Sequence, residues 1–297
     1  MATSKNLRLL RTSISEAESL AYRTSNKEFP IVLRPIAERR KVTSVDFCPL
    51  LVDAMLTTHP GGFRILLNSD GGRTHELRER YNNESKGKLL HARLRFSIAH
   101  ELAHTFFYDL SAASPKLSKK FTSGGGRTEL ENIERNCNII AGHLLLPTPM
   151  LMAAFCQLKE VTADSIADLA RTTGVSVPAL LVRFAKSDSF FIKKYFRGCI
   201  ALVDRQEGHY KIRTIAKPTS LNIANQLSVL SSGDPWDLIS SDGNRINPFL
   251  LPSISTVRLD VFTKQTKKLA HYKISVARMG HLEASDSFLA VLEEIEY

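Results

Sequence analysis

The chain has 297 residues, of which 43% are hydrophobic and 24% charged. That excludes a disordered or fibrous polypeptide and allows one large core or two to three smaller ones. The formal net charge of +10 points towards nucleic acid or acidic partners. The cations are dispersed, however, and groups such as Arg34/Arg39/Arg40/Lys41 and Lys193/Lys194/Arg197 read as separate solvated clusters.

The opening "MATSKNLRLLRTSISEAESL" contains no continuous apolar segment, so no secretory signal is expected. No apolar run approaches the roughly 18–20 residues that span a membrane. Cys48, Cys137, Cys156 and Cys199 are scattered, without a CxxC pair. They fit a reducing compartment and read as small buried hydrophobes. A cytoplasmic protein with no membrane partner is expected.

Three textures follow one another along the chain. In residues 1–157, "SEAESLAYRT" reads as a helix capped by Ser15. "LLVDAMLTTHPGGFRILLNSDGG" reads as an antiparallel hairpin turning at His59-Pro60-Gly61-Gly62. "KLLHARLRFSIAHELAHTFFYDL" has apolar residues at helical spacing, with Leu94, Ile98 and Leu102 on one face. "TSGGGRT" predicts a mobile loop, because three glycines are costly to hold in one conformation. "ELENIERNCNIIAGHLLLP" is the next helix, stopped by Pro147 and Pro149.

Residues 158–188 suggest two helices joined at Gly174. Ala170, Val175 and Leu180 sit where a helix-turn-helix places small and apolar residues. Residues 189–297 alternate apolar and polar in "RGCIALVDR", "HYKIRTIA", "STVRLDVFT" and "AHYKISVARM". They predict an α+β domain with at least four strands; "DSFLAVLEEI" fits helix or strand.

The chemistry is concentrated in His100-Glu101-Leu102-Ala103-His104. Positions four apart share one helix face, so both imidazoles can hold one Zn²⁺ at about 2.0–2.1 Å. Glu101 lies about 100° further round the helix. There it is poorly placed as a ligand but well placed to take a proton from an attacking water. A catalytic zinc site needs a third protein ligand. Phe107 and Leu110 stand where one zincin class has a glycine and a third histidine, which excludes that class. Glu129, Glu131 and Glu134 are the remaining candidates. Glu131 and Glu134 share a helix face, so spacing alone does not choose between them. Asn138, one turn beyond Glu134, favours Glu134, because it can hydrogen-bond the far nitrogen of a liganding imidazole. Tyr108, one turn after His104, reads either as an oxyanion donor or as a half-buried structural tyrosine. Phe63–Leu67 reads either as a lip strand that pairs with an extended substrate or as an ordinary sheet strand. No cysteine lies between His104 and Glu134, and Cys137 is about 60° off the Glu134 direction, so a thiol-blocked site is disfavoured.

"RFSIAHELAHTFF" followed by "IERNCNIIAGHLLLP" resembles the ImmA/IrrE family of zinc metallopeptidases, over about residues 63–150. "ADLARTTGVSVPALLVRF" resembles the segment that follows the peptidase in many members. The resemblance implies zinc held by His100, His104 and Glu134, with Glu101 as the catalytic glutamate. Asn136 stands where many members have a glutamate. The implied fold is α+β: a zincin-like, gluzincin-type peptidase (1–157), a helix-turn-helix-like segment (158–188) and a GAF-like sensor domain (189–297). The implied activity is cleavage of a helix-turn-helix transcriptional repressor after a stress or phage-defence signal, with DNA as a candidate activating ligand. The alternative is a DNA- or ligand-binding regulator on a peptidase-like fold. In that reading, the second helix of the 158–188 segment would offer Arg183 and Lys186 to DNA. A general degradative protease is disfavoured, since nothing in the sequence would restrain it.

Overall fold

Alternating burial builds the first sheet. In β3 (Gly62–Asn68), Phe63, Ile65 and Leu67 are buried while Arg64 is exposed, the two-residue period of a strand with one face in a core. β3 pairs in parallel with β1 (Val42–Cys48) and antiparallel with β2 (Ala54–His59), giving the order β1-β3-β2. The hairpin turns at Pro60-Gly61, where Gly61 has φ +94°; proline then glycine suits a type II turn. At Gly62 a side chain is excluded: a Cβ there would stand 2.2 Å from the Lys41 carbonyl oxygen. β3 is therefore the central strand, with both edges occupied. The lip of any cleft against this sheet falls to β2, not to Phe63–Leu67.

This computed structural model describes residues 4–69, 73–111, 115–117, 127–186, 196, 198–206, 209–216, 238–239, 245–246, 257–261, 270–279 and 286–295. The glycine run of "TSGGGRT" lies outside them. The chain forms two compact units, Met1–Leu151 with Arg171–Ser176, and Met152–Ala170 with Val177–Tyr297.

In the first unit, α1 (Ser4–Thr24) buries Ala17, Leu20 and Ala21 and packs on α5 (Arg127–Leu145). The helix begins well before Ser15, which is exposed in its interior. No glycine or proline interrupts residues 4–14, so nothing stops the helix from extending past the expected cap. α2 (Leu33–Arg39) and α3 (Thr74–Asn82) flank the sheet at β1. α4 (Ala92–His104) packs against β2, β3 and α5, burying Ile98, Ala99, Leu102 and Ala103. A short 3₁₀ turn (Thr105–Phe107) leads to β4 (Tyr108–Asp109), which pairs with β5 (Lys116–Leu117). α5 buries Cys137, Ile140, Ala141, Leu144 and Leu145 at helical spacing and ends before Pro147.

Arg95 is fully buried and holds α4 in place. It pairs with buried Glu84 and donates to the Ile31 carbonyl (2.7 Å) and the Gly174 carbonyl (3.0 Å). Gly174 has φ +69°, and a Cβ there would crowd Arg95 at 3.1 Å.

α6 (Thr148–Cys156) starts in the first unit and ends in the second, where the ring of Phe155 meets those of Phe184 and Phe196 at 5.3 and 6.3 Å. α7 (Ala163–Thr173) starts in a reciprocal cap: Thr162 Oγ1 accepts the Ser165 N–H at 3.1 Å, and Ser165 Oγ accepts the Thr162 N–H at 2.8 Å. α8 (Val177–Lys186) buries Leu180, Leu181 and Phe184 and packs on β6 (Gly198–Gln206) and β7 (His209–Ala216). Arg183 is buried too. Of the two cations that the alternative reading offers to DNA, Arg183 is therefore withdrawn, and the side chain of Lys186 lies outside the described residues.

β8 (Leu238–Ile239) pairs with β9 (Arg245–Ile246). β10 (Val257–Val261), β11 (Ala270–Met279) and β12 (Asp286–Ile295) join β6 and β7 in an antiparallel sheet ordered β10-β11-β12-β6-β7. "DSFLAVLEEI" is therefore a strand, paired along its length with β11 and β6. The cysteines divide: Cys137 is buried, Cys48 is partly buried, and Cys156 is exposed, against the reading of all four as buried hydrophobes. No single helix among the described residues is long and apolar enough to cross a membrane.

Candidate metal centre

The apolar face of α4 fixes where its polar face points. With Ile98, Leu102 and Arg95 buried, His100 and His104 project one turn apart into a cleft of about 500 Å³. Met55 and Leu56 of β2, Phe96 of α4 and Tyr108 also line it. Glu134 and Asn138, one turn apart on α5, line it too, because α5 packs along α4.

Three donor side chains converge here, Glu134 through both carboxylate oxygens. His100 Nε2 lies 3.0 Å from Glu134 Oε2, His104 Nε2 lies 3.4 Å from Glu134 Oε1, and the two Nε2 atoms are 3.3 Å apart. Ligands at about 2.0–2.1 Å from a tetrahedral ion stand about 3.3 Å from one another, so this triangle has the size of one face of such a polyhedron. The side chain of Asn138 holds the far side of the first ring, with Oδ1 3.0 Å from His100 Nδ1. Since a carbonyl oxygen only accepts, Nδ1 carries the hydrogen and the Nε2 lone pair is left for the triangle. A cation suits three lone-pair donors facing one point. Glu131 is exposed on α5; the side chain of Glu129 lies outside the described residues.

Glu101 is buried beside the triangle, and its carboxylate forms a metal-compatible group with the two histidines. Both Glu101 and Glu134 are thus within reach of an ion. Glu134 has the closer set of contacts to both imidazoles. Burial pushes the Glu101 carboxyl up, and Glu134 adds to this; His100 and the Leu56 backbone amide pull the other way without reversing it. Burial pushes His104 down, towards the neutral imidazole. Tyr108 is half-buried, its ring edge-on to Phe63 at 5.0 Å. Cys137 is buried on α5, and burial pushes its thiol up, so it is an inert core residue.

Residues 87–185 match the family model described as the IrrE N-terminal-like domain, a peptidase family. This part of the chain is an IrrE N-terminal-like domain. The IrrE-like segment runs from just before α4 through α8, so it includes both motif helices and the Gly174 turn. It identifies a metallopeptidase-like domain that carries the His100-Glu101-His104 group, in a mixed α+β chain consistent with a zincin-like fold. No curated protein matches the chain in sequence. A solved structure of a Mycobacterium tuberculosis transcriptional regulator is similar over 95% of this chain and 75% of that one, at 16% identity and a TM-score of 0.48. So distant a likeness carries no functional argument.

Sequence reasoning missed Arg40, Arg95 and Glu84. Arg40 stood in a run of cations that looked solvated, yet it is buried against Thr105 and Phe106. No local pattern separates a buried arginine from an exposed one; its partners are far away in sequence.

Proposed function

We propose that this chain is a regulated zinc endopeptidase that cuts one peptide bond in a helix-turn-helix transcriptional repressor. The observation that carries the catalytic part is the triangle of His100, His104 and Glu134 with edges of 3.0–3.4 Å. Its dimensions suit a tetrahedral ion with one position left open. Zinc in that place would polarise the substrate carbonyl and acidify an adjacent water.

The chain's own groups supply the rest. Glu101, a buried carboxylate with a raised pKa, accepts the proton of the attacking water and returns it to the departing amine. Asn138 fixes the tautomer of His100. Tyr108 lines the same cleft and is a candidate donor to the developing oxyanion. β2 is an edge strand. Its Leu56 amide faces the Glu101 carboxylate, so the alternate residues Ala54 and Thr58 also turn their backbone groups outward, where an extended substrate can pair. This shifts the lip role from Phe63–Leu67 to Ala54–His59.

The repressor substrate, the stress or phage-defence signal, a GAF-like sensor at 189–297 and DNA as activator rest on the resemblance in sequence. The five-stranded antiparallel sheet suits a separate sensing domain. The domain limits 1–157, 158–188 and 189–297 and a cytoplasmic location belong to the same proposal.

The test incubates the chain with the helix-turn-helix repressor of a neighbouring gene, with and without DNA, and reads intact mass. Wild type should yield two fragments. Glu101→Gln should keep fold and metal but leave the repressor whole; cleavage by this variant at the wild-type rate would refute the mechanism.

A further inference from the structure

We infer that Arg40 is a positioning residue for the metal centre: it fixes the peptide that follows His104 and thereby the direction in which His104 faces Glu134. The inference rests on the reading of His100, His104 and Glu134 as metal ligands.

Arg40 follows α2 and is 8% exposed. Each of its three nitrogens donates a hydrogen bond. Nε donates to Thr105 Oγ1 (3.1 Å), Nη2 to the Thr105 carbonyl (2.7 Å), and Nη1 to Glu16 (2.7 Å). The guanidinium also stacks 4.1 Å from the centre of the Phe106 ring. Thr105 in turn donates its hydroxyl to the Leu102 carbonyl at 2.6 Å, so the residue after His104 is gripped from two sides. α4 ends at His104, where carbonyls run out of helical partners and a cation is favoured.

The next residue serves the opposite wall. The Lys41 carbonyl accepts the Phe63 amide at 2.8 Å, and the Phe63 ring meets Tyr108 edge-on. One corner of the chain, residues 40 and 41, thus holds both the segment leaving His104 and the aromatic support of Tyr108. A lysine at position 40 keeps the charge but not the planar fork, so it cannot hold the Thr105 hydroxyl and carbonyl together.

The experiment loads the full chain with Co²⁺ and measures its dissociation constant by chelator competition, its visible ligand-field spectrum, and folding by circular dichroism. Arg40→Lys should fold, bind Co²⁺ about 10–100-fold more weakly, and change the visible band. Thr105→Val, which loses both hydroxyl contacts (from Arg40 Nε and to the Leu102 carbonyl) but keeps the Thr105 carbonyl for Arg40, should give a smaller weakening in the same direction. A folded Arg40→Lys with wild-type affinity and spectrum overturns the inference, as does a variant that loses thermal stability with Co²⁺ affinity unchanged. If Arg40→Lys does not fold, Thr105→Val decides, and wild-type affinity there overturns it. Wild-type protein that binds Co²⁺ no better than His100→Ala would fail the metal reading itself, and the inference with it.

Discussion

At His100 one ring nitrogen is committed to Asn138 and the other to the triangle. The division matters because a neutral imidazole has one hydrogen to place, and its tautomer decides whether Nε2 can ligate. Asn138→Leu removes the acceptor, so the ring loses its preference and its orientation. Metal affinity, measured by chelator competition, should weaken about tenfold, while Asn138→Asp should restore it. Equal affinity in all three proteins would show that the 3.0 Å contact does not steer the ring. This much of the site was legible in sequence, because it depends on spacings within single helices: His100 to His104, and Glu134 to Asn138. Arg40 and Arg95 were not. Each is defined by backbone carbonyls contributed from elsewhere in the chain, Thr105 for one, Ile31 and Gly174 for the other.

Among elements, the α1–α5–α6 junction shows how helices are locked around the motif. Glu18 of α1 accepts from His143 of α5 at 2.6 Å and from the Thr148 backbone amide, at the start of α6, at 2.8 Å. Burial raises the Glu18 carboxyl, but the hydrogen bonds from His143 and Thr148 outweigh it, and the pKa lies below its ordinary value. A carboxyl depressed in the folded state stabilises above its unfolded pKa and loses that contribution as pH falls through the folded one. Glu18→Gln should therefore be less stable than wild type near neutrality, and the gap in denaturant midpoint should close as pH drops below about 4. A gap independent of pH would assign the effect to packing. Elements were legible where a period or a breaker marks them: the β2–β3 hairpin, the end of α5 before Pro147, the Gly174 turn. They were misread where the deciding partner is remote. Ser15 looked like a cap because its sequence suits one, while the preceding residues simply continue the helix. Phe63–Leu67 could not be told from an edge strand until its two neighbours were placed.

In the whole molecule, all the donor groups of the triangle belong to one unit, while the five-stranded sheet with α8 forms a core of its own in the other. Arg40, Arg95 and Arg183 are buried, but so are Glu84 and Glu101, so burial among the described residues removes little of the net positive charge. A ligand that binds only the folded form of one unit stabilises that unit by mass action. With zinc at a hundredfold excess over its dissociation constant, the gain is about 2.7 kcal/mol. For a unit of this size, that moves its unfolding midpoint by about 5–10 °C. Calorimetry should accordingly resolve two transitions. Zinc should raise one of them and leave the other in place, a chelator should reverse the shift, and His100→Ala should abolish it. A single transition that moves as a whole on adding zinc would mean that the two cores unfold together. In that case, metal binding would be coupled to the β-rich unit, and the proposed regulation would have a thermodynamic route between the two.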